Sequence, residues 1–226
     1  MSAPTPVPAP VDVPRLLHLL RVEPQPRLTW VSRDGERVEL SGRVLVNWVA
    51  KTANLLGTDC GVGPHDVLRT ALGPAWRAPV MWLAAWHLGL EVAAHGAGDV
   101  PADADADVWV VPEGADAPGG TPDVLVVPHA ALAPAAADTR VGSHGWVDYA
   151  AEVRLHPDAL PPGEAAAAAA RAGEVRASGG ARRLLDPEAG PEDVLGVWAD
   201  GGSVVWHDGL GDDALERLAA QEHATP

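Results

Sequence analysis

Three short stretches of this 226-residue chain carry residue types at spacings that chemistry uses. Gly61-Val62-Gly63 begins like a dinucleotide fingerprint, whose glycines let a strand-to-helix turn approach a pyrophosphate. Its sixth position is Asp66, and it leads from a helical pattern into a strand pattern, the reverse of the required order, so it reads as a connecting turn. Asp103, Asp105 and Asp107 alternate like the oxygen ligands of a calcium loop, but Trp109 and Val111 occupy the next ligand positions. The twelfth position is Gly114 where a bidentate Glu belongs, which leaves a solvated acidic loop. Gly142-Ser143-His144-Gly145 sets a hydroxyl beside an imidazole. Sequence neighbours are not expected to face each other as nucleophile and base, and no GxSxG motif accompanies them.

The remaining reactive residues are dispersed. The nine His form no HExxH and no His/Cys cluster at zinc spacing, so no metal site is expected. Cys60 is single, which excludes an intramolecular disulfide and fits a small buried hydrophobe. Asp66, His87 and His95 are the groups to test for an unfamiliar catalytic site. No catalytic residue is assigned from spacing alone, no cofactor is implied, and the residues of any cofactor-binding set stay unnamed. Trp48, Trp82 and Trp86 are candidates to wall an acyl or aryl pocket, although aromatic residues at helical spacing belong to a core in most cases.

The elements that would position these groups follow from periodicity. Val13, Leu16, Leu17 and Leu20 share one helix face. Residues 28–31 and 38–40 are short strands around Asp34-Gly35, a hairpin signal. Ser41 is placed as an N-cap ahead of Leu45, Trp48, Val49, Thr52, Leu55 and Leu56, with Gly57 where that helix stops. Residues 67–72 read as a strand, 75–88 as a helix and 90–94 as a strand. The two helices are expected to lay Trp48 and either Trp82 or Trp86 on a parallel sheet. Residues 108–111 and 124–127 are further strands, 148–155 reads as a strand, and 164–171 as an Ala-rich helix broken by Ser178-Gly179-Gly180. Residues 194–199 and 203–207 flank Asp200-Gly201-Gly202 as a tight hairpin, and 212–221 is an amphipathic helix. The fold class is α/β: three-layer, with a mainly parallel sheet flanked by helices. The domain reading is a disordered Pro-rich arm over residues 1–14 and one domain over 15–226, least regular across 133–190.

Composition narrows the partners. Charged residues make up 21% of the chain, and the formal net charge of −15 carries no Lys/Arg run, so phosphate backbones and anionic lipid surfaces are repelled. Neither nucleic acid nor membrane is an expected partner. The amino terminus has no basic-then-apolar leader pattern and the longest apolar run, residues 78–90, contains His87, which together point to the cytoplasm.

A family resemblance rests on a series of pieces between residues 28 and 94. Leu28-Thr29-Trp30, then Lys51-Thr52-Ala53-Asn54-Leu55-Leu56, Gly61-Val62-Gly63-Pro64-His65-Asp66-Val67, and the Met81 to Gly89 stretch agree in order and spacing with the N-terminal region of acyl-adenylate-forming (AMP-binding) enzymes. Gly201-Gly202-Ser203-Val204-Val205 is similar to a later strand of that family. More narrowly, the chain resembles a small actinobacterial family of uncharacterised proteins remotely similar to those enzymes.

The resemblance implies their first subdomain's fold and a cleft at the carboxyl ends of its strands for a nucleotide or an acyl-type ligand. The Ser/Thr/Gly-rich phosphate loop of the family, of the type TSGTTGxPKG, has no counterpart here. Ser178-Gly179-Gly180-Ala181-Arg182-Arg183, the nearest Gly-rich run, has no threonine and no Pro-Lys-Gly, though its arginines are candidates to meet an anion. The family's adenine-side motif, ribose-binding Asp, hinge and catalytic lid are expected beyond residue 226. These departures favour a non-catalytic, truncated relative, a pseudoenzyme, that binds a ligand. The alternatives are a scaffold that binds a protein partner through the inherited fold, and an atypical adenylate-forming enzyme with unfamiliar residues.

Overall fold

The architecture comes from a computed structural model that describes residues 13–101, 104–118, 123–163 and 180–225. Helix α1 is Val13–Val22 and buries the four apolar residues of its periodic face. The last two residues of the expected arm, Val13 and Pro14, open that helix, and the rest of the arm lies outside the described residues. Strands β1 (Pro26–Val31) and β2 (Arg37–Ser41) pair antiparallel across the Asp34-Gly35 turn, as the hairpin signal predicts. Ser41 caps helix α2 (Gly42–Thr58), its Oγ accepting the Val44 N–H at 3.3 Å. The start of α2 is pressed against the end of α1, for a Cβ at Gly42 would stand 2.2 Å from the Leu20 carbonyl oxygen.

Strand β3 (Val67–Thr70), helix α3 (Ala78–His87) and strand β4 (Glu91–Ala94) follow, with β5 (Val108–Pro112) and β6 (Asp123–Val127) beyond them. Helix α3 is apolar on every side, and its residues 78–86 are all buried. Such a helix has no solvent face and belongs inside. It lies against β3 and β4 on one side, while on the other its Trp82 ring meets Trp206 at 6.1 Å. Trp48 packs against the main core and stands edge-on to Trp76, 5.3 Å away in the loop before α3.

The strands divide between two sheets. One runs β4-β3-β5-β6-β7 and is parallel throughout, with β7 a two-residue strand at Val147–Asp148. Strands β5 and β6 alternate between two apolar clusters, Val108, Val110, Leu125 and Val127 on one face and Trp109, Val111, Val124 and Val126 on the other. Burial of both faces is what a parallel sheet demands and why these strands are continuous apolar runs. The other sheet runs β2-β1-β9-β8, with β8 at Arg182–Leu185 and β9 at Ser203–His207. There β1 and β8 both pair parallel to β9. Helices α2 and α3 share the layer between the sheets, α2 against β1 and β2, α3 against β3 and β4. The mainly parallel α/β fold is therefore present, spread over two sheets that share a helical layer.

Two local expectations are corrected. Residues 148–155 leave β7 after one residue and form α4 (Tyr149–Glu152) and a 3₁₀ turn (Val153–Leu155). The Asp148 carboxylate caps that turn through the Ala151 N–H at 3.1 Å, and the buried Tyr149 hydroxyl reaches Thr52 Oγ1 at 2.8 Å. The expected hairpin at 194–207 is instead α5 (Pro191–Ala199) followed by β9. Pro191 is placed to start a helix, the Asp193 carboxylate accepts the Gly190 N–H at 2.9 Å, and Val194, Leu195, Val197 and Trp198 are buried. The expected helix at 212–221 is α6, Asp212–Glu222. The Ala-rich stretch 164–171 lies outside the described residues, as do Asp103, Ser178 and Gly179.

Candidate functional site

The strand order reverses between β3 and β5: the chain steps outward from β3 to β4, then returns to lay β5 on the other side of β3. Open α/β sheets place ligands in the crevice outside the carboxyl ends at such a point. A cleft of about 700 Å³ opens there. Its walls are the segments that follow parallel strands: Leu72 and Pro74 after β3, Ala97 and Gly98 after β4, Glu113 and Gly114 after β5, Pro128 and His129 after β6. The second sheet closes the far side with Trp30 of β1, the hairpin turn from Ser32 to Glu36, and Asp208 after β9.

Polar side chains from distant parts of the chain hold these loops. The Trp30 indole N–H donates to the Pro74 carbonyl at 2.6 Å, and the Trp76 indole N–H donates to the Ala131 carbonyl at 3.0 Å. Both Glu36 oxygens accept the Ala131 N–H, at 3.2 and 3.1 Å. Glu113 accepts the N–H of Ala137 at 2.6 Å and of His129 at 3.4 Å. Gly73, at φ +60, lets the β3 and β4 exits meet, since a Cβ there would lie 2.8 Å from that of Ala97. Arg33 binds Asp208 through its backbone N–H and its guanidinium. Among the described residues the lining sets the carboxylates of Asp34, Glu36, Glu113 and Asp208 against the Arg33 guanidinium, a negative field that disfavours a bare phosphate and leaves the apolar wall of Leu72, Pro74 and Val127 to an uncharged group.

The residues singled out from sequence do not converge on this cleft. Asp66 precedes β3, at its amino end, and its carboxylate accepts the Gly63 N–H at 2.8 Å, which ties the Gly61–Gly63 turn. His95 follows β4, with its ring 5.5 Å from Trp109. Burial and the Arg69 guanidinium push its pKa below the usual histidine range, so it is neutral at pH 7. His87 ends α3, its Nε2 2.8 Å from the Pro161 carbonyl oxygen, beside a groove of about 160 Å³ shared with Leu17, His18 and Arg21. Trp82 and Trp86 are 3% exposed and belong to the core, as their spacing suggests. Burial pushes the Cys60 thiol up to about 12, which removes it as a nucleophile.

Ser143 and His144 do meet, with Oγ and Nδ1 2.9 Å apart, but not as nucleophile and base. The single Ser143 hydroxyl proton is directed to the Thr139 carbonyl oxygen at 2.8 Å, so Nδ1–H must donate to Oγ and the ring is not oriented as a base. The arginines of the Gly-rich run are also engaged: Arg182 bonds Glu222 at 2.5 Å, Thr29 at 2.8 Å and Ser203 at 3.2 Å, and Arg183 reaches Thr225 at 3.3 Å. Of the alternating aspartates that are described, Asp107 accepts the Val67 N–H through its carboxylate at 2.7 Å, and Asp105 accepts the Arg69 guanidinium through its backbone carbonyl oxygen at 2.7 Å. Among the described residues no group of three or more His, Cys, Asp or Glu is placed to hold a metal ion, and no helix is long and apolar enough to cross a membrane.

Sequence reasoning missed Trp30, Glu36, Glu113, His129 and Asp208 as wall residues. Their signal was positional: Glu113 and His129 directly follow the prolines that end two strand patterns, where an α/β sheet presents side chains to a ligand.

The fold is similar to that of solved acyl-CoA and amide bond synthetases. An acyl-CoA synthetase from Brucella canis superposes on 95% of this chain and 49% of its own, with a TM-score of 0.59 and 14% identity. Acetoacetyl-CoA synthetase from Streptomyces lividans matches over 94% and 41%, at a TM-score of 0.65 and 18% identity. The amide bond synthetase McbA from Marinactinospora thermotolerans matches over 95% and 47%, at 0.58 and 17%. At such identities the likeness speaks for the fold. In sequence, a "TIGR03089 family protein" of Mycobacterium tuberculosis is 32% identical over 155 residues, which span 64% of this chain and 59% of that protein. No family model matches the sequence. The chain thus spans under two thirds of that relative and about half or less of these solved structures.

Proposed function

We propose that this chain is a ligand-binding relative of the adenylate-forming enzymes that does not itself adenylate, and that its ligand, acyl-type or nucleotide, sits in the cleft between the two sheets. The observation that carries this reading is the position of the cleft at the reversal of strand order, with walls from both sheets. The absence of a Ser/Thr/Gly-rich phosphate loop from the sequence argues against catalysis, because losing one preorganised donor to a developing oxyanion costs roughly 3 to 4 kcal/mol. The acidic lining argues the same way and favours the acyl portion of an acyl-adenylate over free ATP.

Isothermal calorimetry with ATP, AMP and a non-hydrolysable acyl-adenylate analogue, Mg²⁺ present throughout, tests the reading. Saturable binding of the analogue is expected, and Ala115→Trp, which fills the cleft from its wall, should abolish it without changing the circular dichroism spectrum. No heat from any of the three at millimolar concentration would sink the ligand reading and leave a protein partner as the reason to keep the fold.

A further inference from the structure

His207 ends β9 and is 2% exposed. Its Nδ1 lies 3.1 Å from the backbone nitrogens of both Gly209 and Leu210. Both are N–H donors, so Nδ1 must offer its lone pair and the proton of the neutral ring must sit on Nε2. Nε2 is buried with no hydrogen-bond partner among the described residues. One nitrogen thus folds the Asp208-Gly209-Leu210 loop back over the ring, a path that Gly209 permits at φ +105. The same loop delivers Asp208 to the cleft, where the backbone N–H and guanidinium of Arg33 hold it. The charged groups that act on the ring electrostatically are the exposed Asp186 and Glu188 from the segment after β8 and Asp208 from the loop itself, while the Arg33 guanidinium stands 3.3 Å from where a Gly209 Cβ would be.

A proton added to Nδ1 removes the acceptor. Gly209 and Leu210 then lose their partner in the same event, and the buried imidazolium is attracted toward the carboxylates of Asp186, Asp208 and Glu188. We propose that His207 is a proton-operated latch on the cleft: neutral, it fastens the loop that carries Asp208; protonated, it releases the loop and loosens the Asp208–Arg33 edge. The inference rests on the cleft reading for its consequence, but the latch is measurable with no ligand present. Burial outweighs the three carboxylates and sets the titration of His207 below the usual histidine range, so release falls on the acid side of neutrality. The sign is that of a group which binds its proton less readily folded than unfolded. Its contribution is intact above an unfolded value near ~6.5 and is lost as pH falls through the folded one.

Nuclear magnetic resonance of the whole chain between pH 7.5 and 5 reads both halves of the proposal, the ring through its ¹⁵N shifts and the loop through amide exchange corrected for intrinsic rate. The expected result is an Nε2–H tautomer at pH 7.5 and protection of Gly209 and Leu210 falling about tenfold or more as His207 titrates, with Val110 and Leu125 in the five-stranded sheet unchanged. In His207→Asn, Oδ1 supplies an acceptor near the place of Nδ1 without titrating, so protection should persist at both pH values. An Nδ1–H tautomer, loop protection that ignores the ring titration, or the same acid loss in the Asn variant would each overturn the latch. If the variant does not fold, the wild-type titration decides alone. The separate calorimetry at pH 7.5 decides the cleft reading, and a null result there leaves the latch measurement standing.

Discussion

The layer between the sheets and the rim of the cleft are held together by different physics. Helix α3 buries nine consecutive apolar or weakly polar residues and needs little beyond exclusion of water to stay in place. The rim segments are short, carry many prolines and glycines, and cannot bury a continuous apolar face. They are fastened by side chain to backbone hydrogen bonds: Trp30 to Pro74, Trp76 to Ala131, Glu36 to Ala131, Glu113 to Ala137. The interior is thus specified by local pattern and fails only when volume is removed. The rim is specified by pairs far apart in the chain and fails one hydrogen bond at a time.

The largest effect should come from the interior. Trp82→Ala removes a buried indole that packs on Trp206, and equilibrium denaturation should show a loss of about 3 to 5 kcal/mol. Amide protection at the rim should fall only in step with global stability. A smaller and opposite pattern is expected for Glu36→Ala, which leaves the buried Ala131 N–H without its acceptor at a cost of about 1 to 3 kcal/mol. Exchange at residues 129–133 should then rise ahead of the α3 amides; a uniform rise would erase the distinction between the two regions. Trp76→Phe keeps the ring against Trp48 but removes the donor to Ala131, so about 0.5 to 1.5 kcal/mol is expected, again read first at the rim.

A pH test separates the second sheet from both. Burial raises the pKa of Glu222, but hydrogen bonds from Arg182 and Arg37 outweigh it and hold the group below the usual carboxylate range. Its stabilisation is therefore present above the unfolded value near ~4.3 and is lost as pH falls through the lower folded value. Glu222→Gln should lower the melting temperature at pH 7, and the gap from the parent should narrow as pH falls below the unfolded value and through the lower folded one. The smallest effect on stability is none: Cys60, with its pKa pushed up to about 12, should react with a thiol reagent at pH 8 at least about a hundredfold more slowly than a free thiol, and become ordinary only in denaturant.

Part of this architecture is legible in the residue pattern. The spacing of Leu45, Val49, Thr52 and Leu56 behind a Ser41 cap, the Asp34-Gly35 turn and the apolar runs at 108–111 and 124–127 all mark elements that the structure contains, because each signal is local and each element buries a face whose period it sets. Residues 148–155 and 194–199 mislead a reading by pattern because short apolar runs do not separate helix from strand, and the deciding groups are caps: the carboxylates of Asp148 and Asp193, and Pro191. The cleft is legible only as a rule about strand ends, not as residues.

By itself the sequence determined an acidic chain of α/β pattern, with helices α1, α2, α3 and α6 and most of its strands marked by their periodicity. Tertiary structure alone decided that β1 and β9, more than 170 residues apart, lie side by side in a second sheet, and that Glu36 meets Ala131 across 95 residues. Those contacts depend on which parallel strands become neighbours. Periodicity records which face of an element is buried, and carries no record of what it is buried against.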